Sequence, residues 1–217
     1  MQLPFEGKLL FIGDSITSAA RNFDHGGEGL GDDPYGSGYV RQIKALLESG
    51  YPENRIRVVN KGVGGHTIRD LADRWQADVL DQQPEWLSIM IGINDVWRQF
   101  DAPLMTNRHV YPDEYRATYR DLLNRTRSSL KGLVIASPYV MDANRDDAMR
   151  KRMAEYGQIS REMAAEFDGV FVDTQAAFDA FLEHWHFARL GWDRIHPNAT
   201  GYMIITRAWL NAVGFVW

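Results

Sequence analysis

Lys8-Leu9-Leu10-Phe11-Ile12 runs without interruption into Gly13-Asp14-Ser15. The apolar residues stand on consecutive positions, with the length of a strand and no alternation of apolar with polar. A strand apolar on both sides is covered on both sides, the habit of parallel sheets flanked by helices. Gly13-Asp14 then turns the chain, and Ser15 emerges at the sheet edge.

The rest of the chain repeats this pattern. Further short apolar runs occupy Ile56–Asn60, Trp86–Ile91, Leu133–Ser137 and Val170–Val172. Between the runs, helical periods fall near Gly38–Glu48, Thr67–Leu80, Pro112–Leu130, Asp147–Glu166 and Thr174–Leu182. A last helix is expected from about Pro197 to Val213, opening with proline as first turns often do. Strand–helix alternation predicts an α/β fold, a three-layer α/β/α sandwich around a five-stranded parallel sheet. Two stretches read as long connections, Thr17–Tyr35 and Asn94–Tyr111. The first, rich in glycine and acid, is expected to border Ser15. No repeat or linker divides the chain, so residues 1–217 are expected to form a single domain.

Composition removes several classes of function. There is no cysteine, which excludes disulfides, thiolate metal sites and a cysteine nucleophile. A net charge of -5 argues against nucleic-acid or anionic-membrane partners. No stretch approaches the ~20 apolar residues of a spanning helix, and no secretory leader is recognisable, so a cytoplasmic location is expected.

In a doubly wound parallel sheet, ligands bind outside the carboxyl ends of the strands. Gly13-Asp14-Ser15, Gly62-Val63-Gly64-Gly65 and Gly92-Ile93-Asn94-Asp95 follow the first three strands and fall on that one edge. A serine hydroxyl is a weak nucleophile until a base takes its proton. Trp192-Asp193-Arg194-Ile195-His196-Pro197 offers the base His196 and an acid, Asp193, to orient it. Acyl transfer also needs donors aimed at the tetrahedral oxyanion. The Gly65 N–H, the Asn94 amide and the Ser15 N–H are the candidates.

Gly13-Asp14-Ser15, Gly65, Gly92-Ile93-Asn94-Asp95 and Asp193-Arg194-Ile195-His196-Pro197 resemble, in order, the four blocks of the SGNH (GDSL) hydrolases. The resemblance implies a flavodoxin-like fold with Ser15 as nucleophile, His196 as base and Asp193 as its orienter. It implies Ser15, Gly65 and Asn94 as oxyanion donors, and no cofactor. Lys8–Thr17, Val58–Gly62, Ser88–Gln99 and Phe171–Phe178 are further similar to the acetylxylan esterases of this family. That similarity implies removal of acetyl groups from xylose units, and homo-oligomers that include ring-like octamers. Thr17–Tyr35 and Glu183–Gly191 depart from the pattern, as contributors to the pocket mouth or to a subunit contact.

Plainer readings stand beside these. Ser15 is also a helix N-cap candidate, and Asn94 a turn former. Asp14 is assigned to substrate binding, with stabilisation of the turn or of a helix N-terminus as its plainer role. Trp97 and Trp192 are expected to stack on a sugar ring, or else to pack in the core or an interface, and Tyr139 to reach the same edge as a further substrate-binding residue. His66 is read as lining the site or as a surface residue, and Arg98 stays undecided. His184-Trp185-His186 lacks a third ligand, so no metal is expected. The rival functions are a lipolytic esterase, thioesterase or acyltransferase of the same fold, and a non-catalytic carbohydrate-binding module.

Overall fold

The computed structural model describes residues 5–29, 31 and 33–217. Strands β1 (Lys8–Gly13), β2 (Arg57–Gly62), β3 (Trp86–Met90), β4 (Gly132–Ala136) and β5 (Val170–Val172) build one sheet. All their pairings are parallel, in the order β2-β1-β3-β4-β5. Parallel neighbours need a crossover between them, and helices supply it. These are α1 (Ser15–Ser18), α2 (Tyr39–Gly50), α3 (Ile68–Trp75), α4 (Ile93–Asp101), α5 (Pro112–Asn124), α6 (Ala148–Glu166), α7 (Thr174–Leu182) and α8 (Ala199–Ala212). Helices α2, α7 and α8 pack together in one layer, and α3, α4, α5 and α6 in the other. The result is the expected α/β/α sandwich in the flavodoxin-like strand order.

Strand β1 shows why the opening run has no alternation. Leu9, Leu10, Phe11 and Ile12 are all fully buried. Phe11 packs on α8 through Trp209 (5.4 Å between ring centroids) and on α2 through Tyr39 (5.9 Å). Leu10 and Ile12, one position out of phase, face the opposite layer.

Four elements differ from expectation. Helix α4 occupies a stretch read as connection; Ile93, Val96, Trp97 and Phe100 recur at helical spacing along it. Helix α3 ends at Trp75 and continues as a π-helical turn, Gln76–Leu80. Helix α5 stops at Asn124, because the Thr126 hydroxyl bonds back to the Leu122 carbonyl (2.8 Å) and accepts the Trp75 indole N–H (2.8 Å). Helix α8 starts after Pro197, its N-cap being Asn198, whose side chain accepts from Thr200 and Gly201 N–H (3.0 and 3.2 Å).

The Thr17–Tyr35 segment begins at α1 beside Ser15 and then runs along the outer edge of β2. Leu30 and Asp32 lie outside the described residues. Asn60 on β2 donates its backbone N–H to the Gly27 carbonyl (2.7 Å). Its buried side chain donates to the carbonyls of both Thr17 (2.8 Å) and Tyr35 (2.9 Å). Glu28 pairs with Arg57 on the same strand. One asparagine thus ties down both ends of the loop.

Candidate active site

Strand register sets the site. Gly13 at the end of β1 lies opposite Gly62 and Met90, and Met90 lies opposite Ala136. The residues that leave β1, β2 and β3 therefore start from one line. A Cβ on Gly62 would stand 2.2 Å from the Ser18 backbone nitrogen, so α1 sits directly against the end of β2 and only glycine fits there. The Asp14 carboxylate caps α1 by accepting the Ile16 N–H (2.9 Å), which fixes Ser15 in the first turn.

The Ser15 Oγ is 3.1 Å from His196 Nε2. His196 Nδ1 is 2.8 Å from Asp193 Oδ2. The other carboxylate oxygen of Asp193 accepts the backbone N–H groups of Ile195 (2.8 Å) and His196 (2.6 Å). An ionised carboxylate only accepts, so the Nδ1 hydrogen points to Asp193 and Nε2 keeps its lone pair toward Ser15. Burial pushes the Asp193 carboxyl upward. The hydrogen bonds from the His196 ring and the two backbone N–H groups outweigh it and hold the group below its ordinary value.

Gly65 and Asn94 stand as expected on the same edge. Gly65 has φ +81°, and a Cβ built there meets nothing within 4 Å, so left-handed backbone selects glycine there, not crowding. Asn94 is only 2% exposed, in the first turn of α4. Its Nδ2 donates to the His66 carbonyl (3.0 Å), and its Oδ1 faces Arg98 Nη2 (3.4 Å). Those two neighbours fix the plane of the amide. A primary amide has two N–H bonds, and among the described residues the His66 carbonyl is the one acceptor bonded to them.

Two indoles pack near His196. Trp97 meets it edge-on (5.6 Å), and Trp192 lies parallel to it (5.9 Å, 3° between planes). Trp97 is half-buried, whereas Trp192 is 83% exposed. Arg98 covers the Trp97 ring and pairs with Asp101. Arg194 pairs with Asp142 and Asp147, which anchors the Asp193–His196 turn to the connection between β4 and α6.

Two residues assigned to substrate binding are placed elsewhere. Asp14 and Tyr139 are both fully buried. Asp14 caps α1, the plainer of its two readings. Tyr139 packs on Phe178 and donates its hydroxyl to the Ile195 carbonyl (2.9 Å), supporting the residue before His196. Sequence reasoning passed over Asp95, whose buried carboxylate accepts the Ile68 N–H (3.0 Å) and caps α3. Its place beside Asn94 was the available signal. Burial pushes the Asp14 and Asp95 carboxyls each up to about 7.

A cleft of about 450 Å³ opens beside Gly65, lined by Thr67, Asp70, Asp73, Arg98, Asn107 and Arg108 among others. Its named walls are polar. No helix among the described residues is long and apolar enough to cross a membrane.

Known proteins match this arrangement along nearly the whole chain. An acetylxylan esterase of Geobacillus stearothermophilus is 50% identical over 210 residues, which cover 97% of this chain and 95% of that one. The crystal structure of that bacterium's acetylxylan esterase superposes with a TM-score of 0.96 at 49% identity, covering 100% of this chain and 98% of the other. An α/β hydrolase from the metagenome of Lake Arreo, Spain, gives 0.95 at 50% identity, covering 98% of each chain. Crystal structures of the Geobacillus enzyme described as catalytic mutants replace a serine, an aspartate or a histidine by alanine. The model of the GDSL-like lipase/acylhydrolase family matches residues 11–204, a span that takes in Ser15, Gly65, Asn94, Asp193 and His196. With the family model, the fold and 50% identity over nearly the full length in agreement, the chain belongs to the GDSL-like lipase/acylhydrolase family.

Proposed function

We propose that this protein is a serine carboxylesterase that removes O-acetyl groups from xylan-derived carbohydrates. His196 Nε2 takes the Ser15 hydroxyl proton as Oγ attacks the acetyl carbonyl carbon. The carbonyl π electrons move onto oxygen, where the N–H groups of Ser15, Gly65 and the Asn94 amide receive the charge. Collapse breaks the bond to the sugar oxygen, which leaves with the proton from His196. Water then attacks the acetyl-serine by the same route, releasing acetate and restoring Ser15. Asp193 keeps the ring in the required tautomer throughout.

The hydrogen-bonded line Ser15–His196–Asp193, at 3.1 and 2.8 Å, carries the chemistry. Likeness to an acetylxylan esterase over 97% of the chain supports the substrate class. The cleft beside Gly65 supports it independently: polar walls suit the hydroxyl groups of a sugar and not a long acyl chain. Trp192, 83% exposed and beside His196, suits a sugar ring, and Trp97 also packs against the base.

Release of acetate from acetylated xylo-oligosaccharides, run beside acetate and octanoate aryl esters, tests the proposal. The expected order is acetate esters well above octanoate; a preference for octanoate overturns the deacetylase reading in favour of a lipolytic one. Binding of xylo-oligosaccharides without fluorophosphonate labelling of Ser15 favours a non-catalytic module instead. Assembly into a homo-oligomer, an octamer in the fullest form, belongs to the same proposal. Light scattering of a monomer at working concentration refutes that part alone.

A further inference from the structure

Arg74 lies on α3 and donates no hydrogen bond to Ser15, Asn94 or His196. Its guanidinium nevertheless joins the pieces on which they stand. Nη2 donates to the Gly13 carbonyl (2.9 Å), at the end of β1 and two residues before Ser15. Nη1 donates to the Lys61 carbonyl on β2 (2.7 Å) and to Asp78 (2.9 Å). Nε donates to Nδ1 of His66 (3.1 Å), the residue after Gly65. The backbone carbonyl of that histidine is the acceptor that holds the Asn94 amide (3.0 Å).

We propose that Arg74 is a positioning residue for the oxyanion hole, holding the Gly65-His66 backbone between the Ser15 strand and the Asn94 amide through the His66 ring. This rests on the reading of Ser15, Gly65 and Asn94 as the reacting groups. Three features of the contact point to it. The Arg74 Nε–H can donate to Nδ1 only if that nitrogen carries a lone pair, so the ring is neutral with its hydrogen on Nε2. Burial and the Arg74 charge both lower the His66 pKa, against the opposing pull of Asp70 and Asp78, which favours that neutral form. The side chain is 14% exposed, and its planar fork reaches three elements at once, as a lysine ammonium cannot.

Placement matters here because oxyanion donors act only within about 2.7–3.1 Å of the developing charge. A displacement of ~1 Å costs on the order of 10²-fold in rate. Gly65 is exposed, and its left-handed backbone has no side chain to pin it. Its neighbour supplies the hold.

The test uses the full chain with four variants: Arg74→Met, Arg74→Lys, His66→Leu and His66→Asn. Arg74→Met is expected to lower kcat on an aryl acetate by roughly 10- to 100-fold with KM changed less than about 3-fold. Arg74→Lys should fall between it and the parent. His66→Leu should lose rate to a similar degree. His66→Asn should recover most of it, since the Asn Oδ1 stands where Nδ1 stood and accepts the same hydrogen. Because the two residues act as one unit, Arg74→Met combined with His66→Leu should be little worse than the slower single variant.

A merely structural Arg74 gives a different result: lower Tm, but parental kcat well below the melting temperature. That outcome overturns the proposal. So does a His66→Asn variant as slow as His66→Leu, because the action then bypasses the ring acceptor. If Arg74→Met fails to fold, Arg74→Lys and the His66 pair decide the question by the same split between kcat and KM. Failure of the underlying reading is recognised separately, as parental turnover in Ser15→Ala.

Discussion

The two halves of the candidate site are built differently. Ser15, Gly65 and Asn94 stand on the ends of three neighbouring strands, underlain by buried polar groups: Asp14, Asn60 and Asp95. Asp193 and His196 stand on a half-exposed turn ahead of α8, held by short-range bonds and by Arg194. The first half is made by the sheet, so its geometry depends on contacts distant in sequence. In the second, the Asp193 carboxylate is oriented from within the turn, by the residues two and three positions on. Tyr139, Asp142 and Asp147 anchor the turn's backbone and Arg194 from outside. Damage to the sheet half should therefore be felt in stability as well as rate, and damage to the turn half in rate alone.

Ser15→Ala should show the largest effect, a kcat loss of about 10⁴-fold or more on any acetate ester. Asp193→Asn comes next and is the cleaner probe of the turn half. Its amide oxygen can still accept the Ile195 and His196 N–H groups, but the ring tautomer is no longer enforced. A loss of around 10⁴-fold in kcat is expected, with Tm close to the parent. Stopped assays and thermal melts on the same preparation check both.

Asn94→Ala is the matching probe of the sheet half. Removing one oxyanion donor should cost about 10²–10³ in kcat. Unlike Asp193→Asn, it should also lower Tm, because the His66 carbonyl loses its partner. Equal melting of Asn94→Ala and the parent breaks the contrast between the halves. Trp192→Ala, at the exposed rim, should raise KM for acetylated xylo-oligosaccharides by roughly 2- to 10-fold, the scale of one lost stacking contact. Turnover of a small aryl acetate should stay close to the parent.

The last effect expected is one of stability against pH, not of rate. Burial raises the Asp95 carboxyl to about 7, above its unfolded value of roughly 3.9. Between those values the folded chain binds more protons than the unfolded one. The stability this carboxyl contributes is complete below its unfolded pKa and is lost as pH rises through about 7. Asp95→Asn removes the titration while keeping an oxygen for the Ile68 N–H. Its Tm should decline less than the parent's between pH 5 and pH 8; parallel curves refute the shift.

Much of this was legible in the sequence because it lies in local patterns. The unbroken apolar run of β1 announces burial on both faces, and Asp193-Arg194-Ile195-His196 carries its pairing within one turn. What escaped depends on distant partners. Asp14 and Tyr139 stand beside the site in sequence, but their side chains turn inward to the α1 backbone and the Ile195 carbonyl. Arg74 looks like an ordinary charged helix residue, and nothing local shows that it reaches Gly13, Lys61 and His66. Helix α4 lies between the two cases: its Ile93, Val96, Trp97 and Phe100 spacing is local and helical, while Gly92-Ile93-Asn94-Asp95 at its start has the composition of a turn.

The segment from Thr17 to Tyr35 that lies along β2 bears on how the chain behaves before any ester reaches it. A bare edge strand offers unpaired backbone groups to the next chain, an invitation to aggregate. Here Gly27 takes up the Asn60 N–H and Glu28 meets Arg57. Shortening this segment should therefore tell first in yield of soluble protein, with chains joining through β2, before it tells in the turnover of those molecules that do fold.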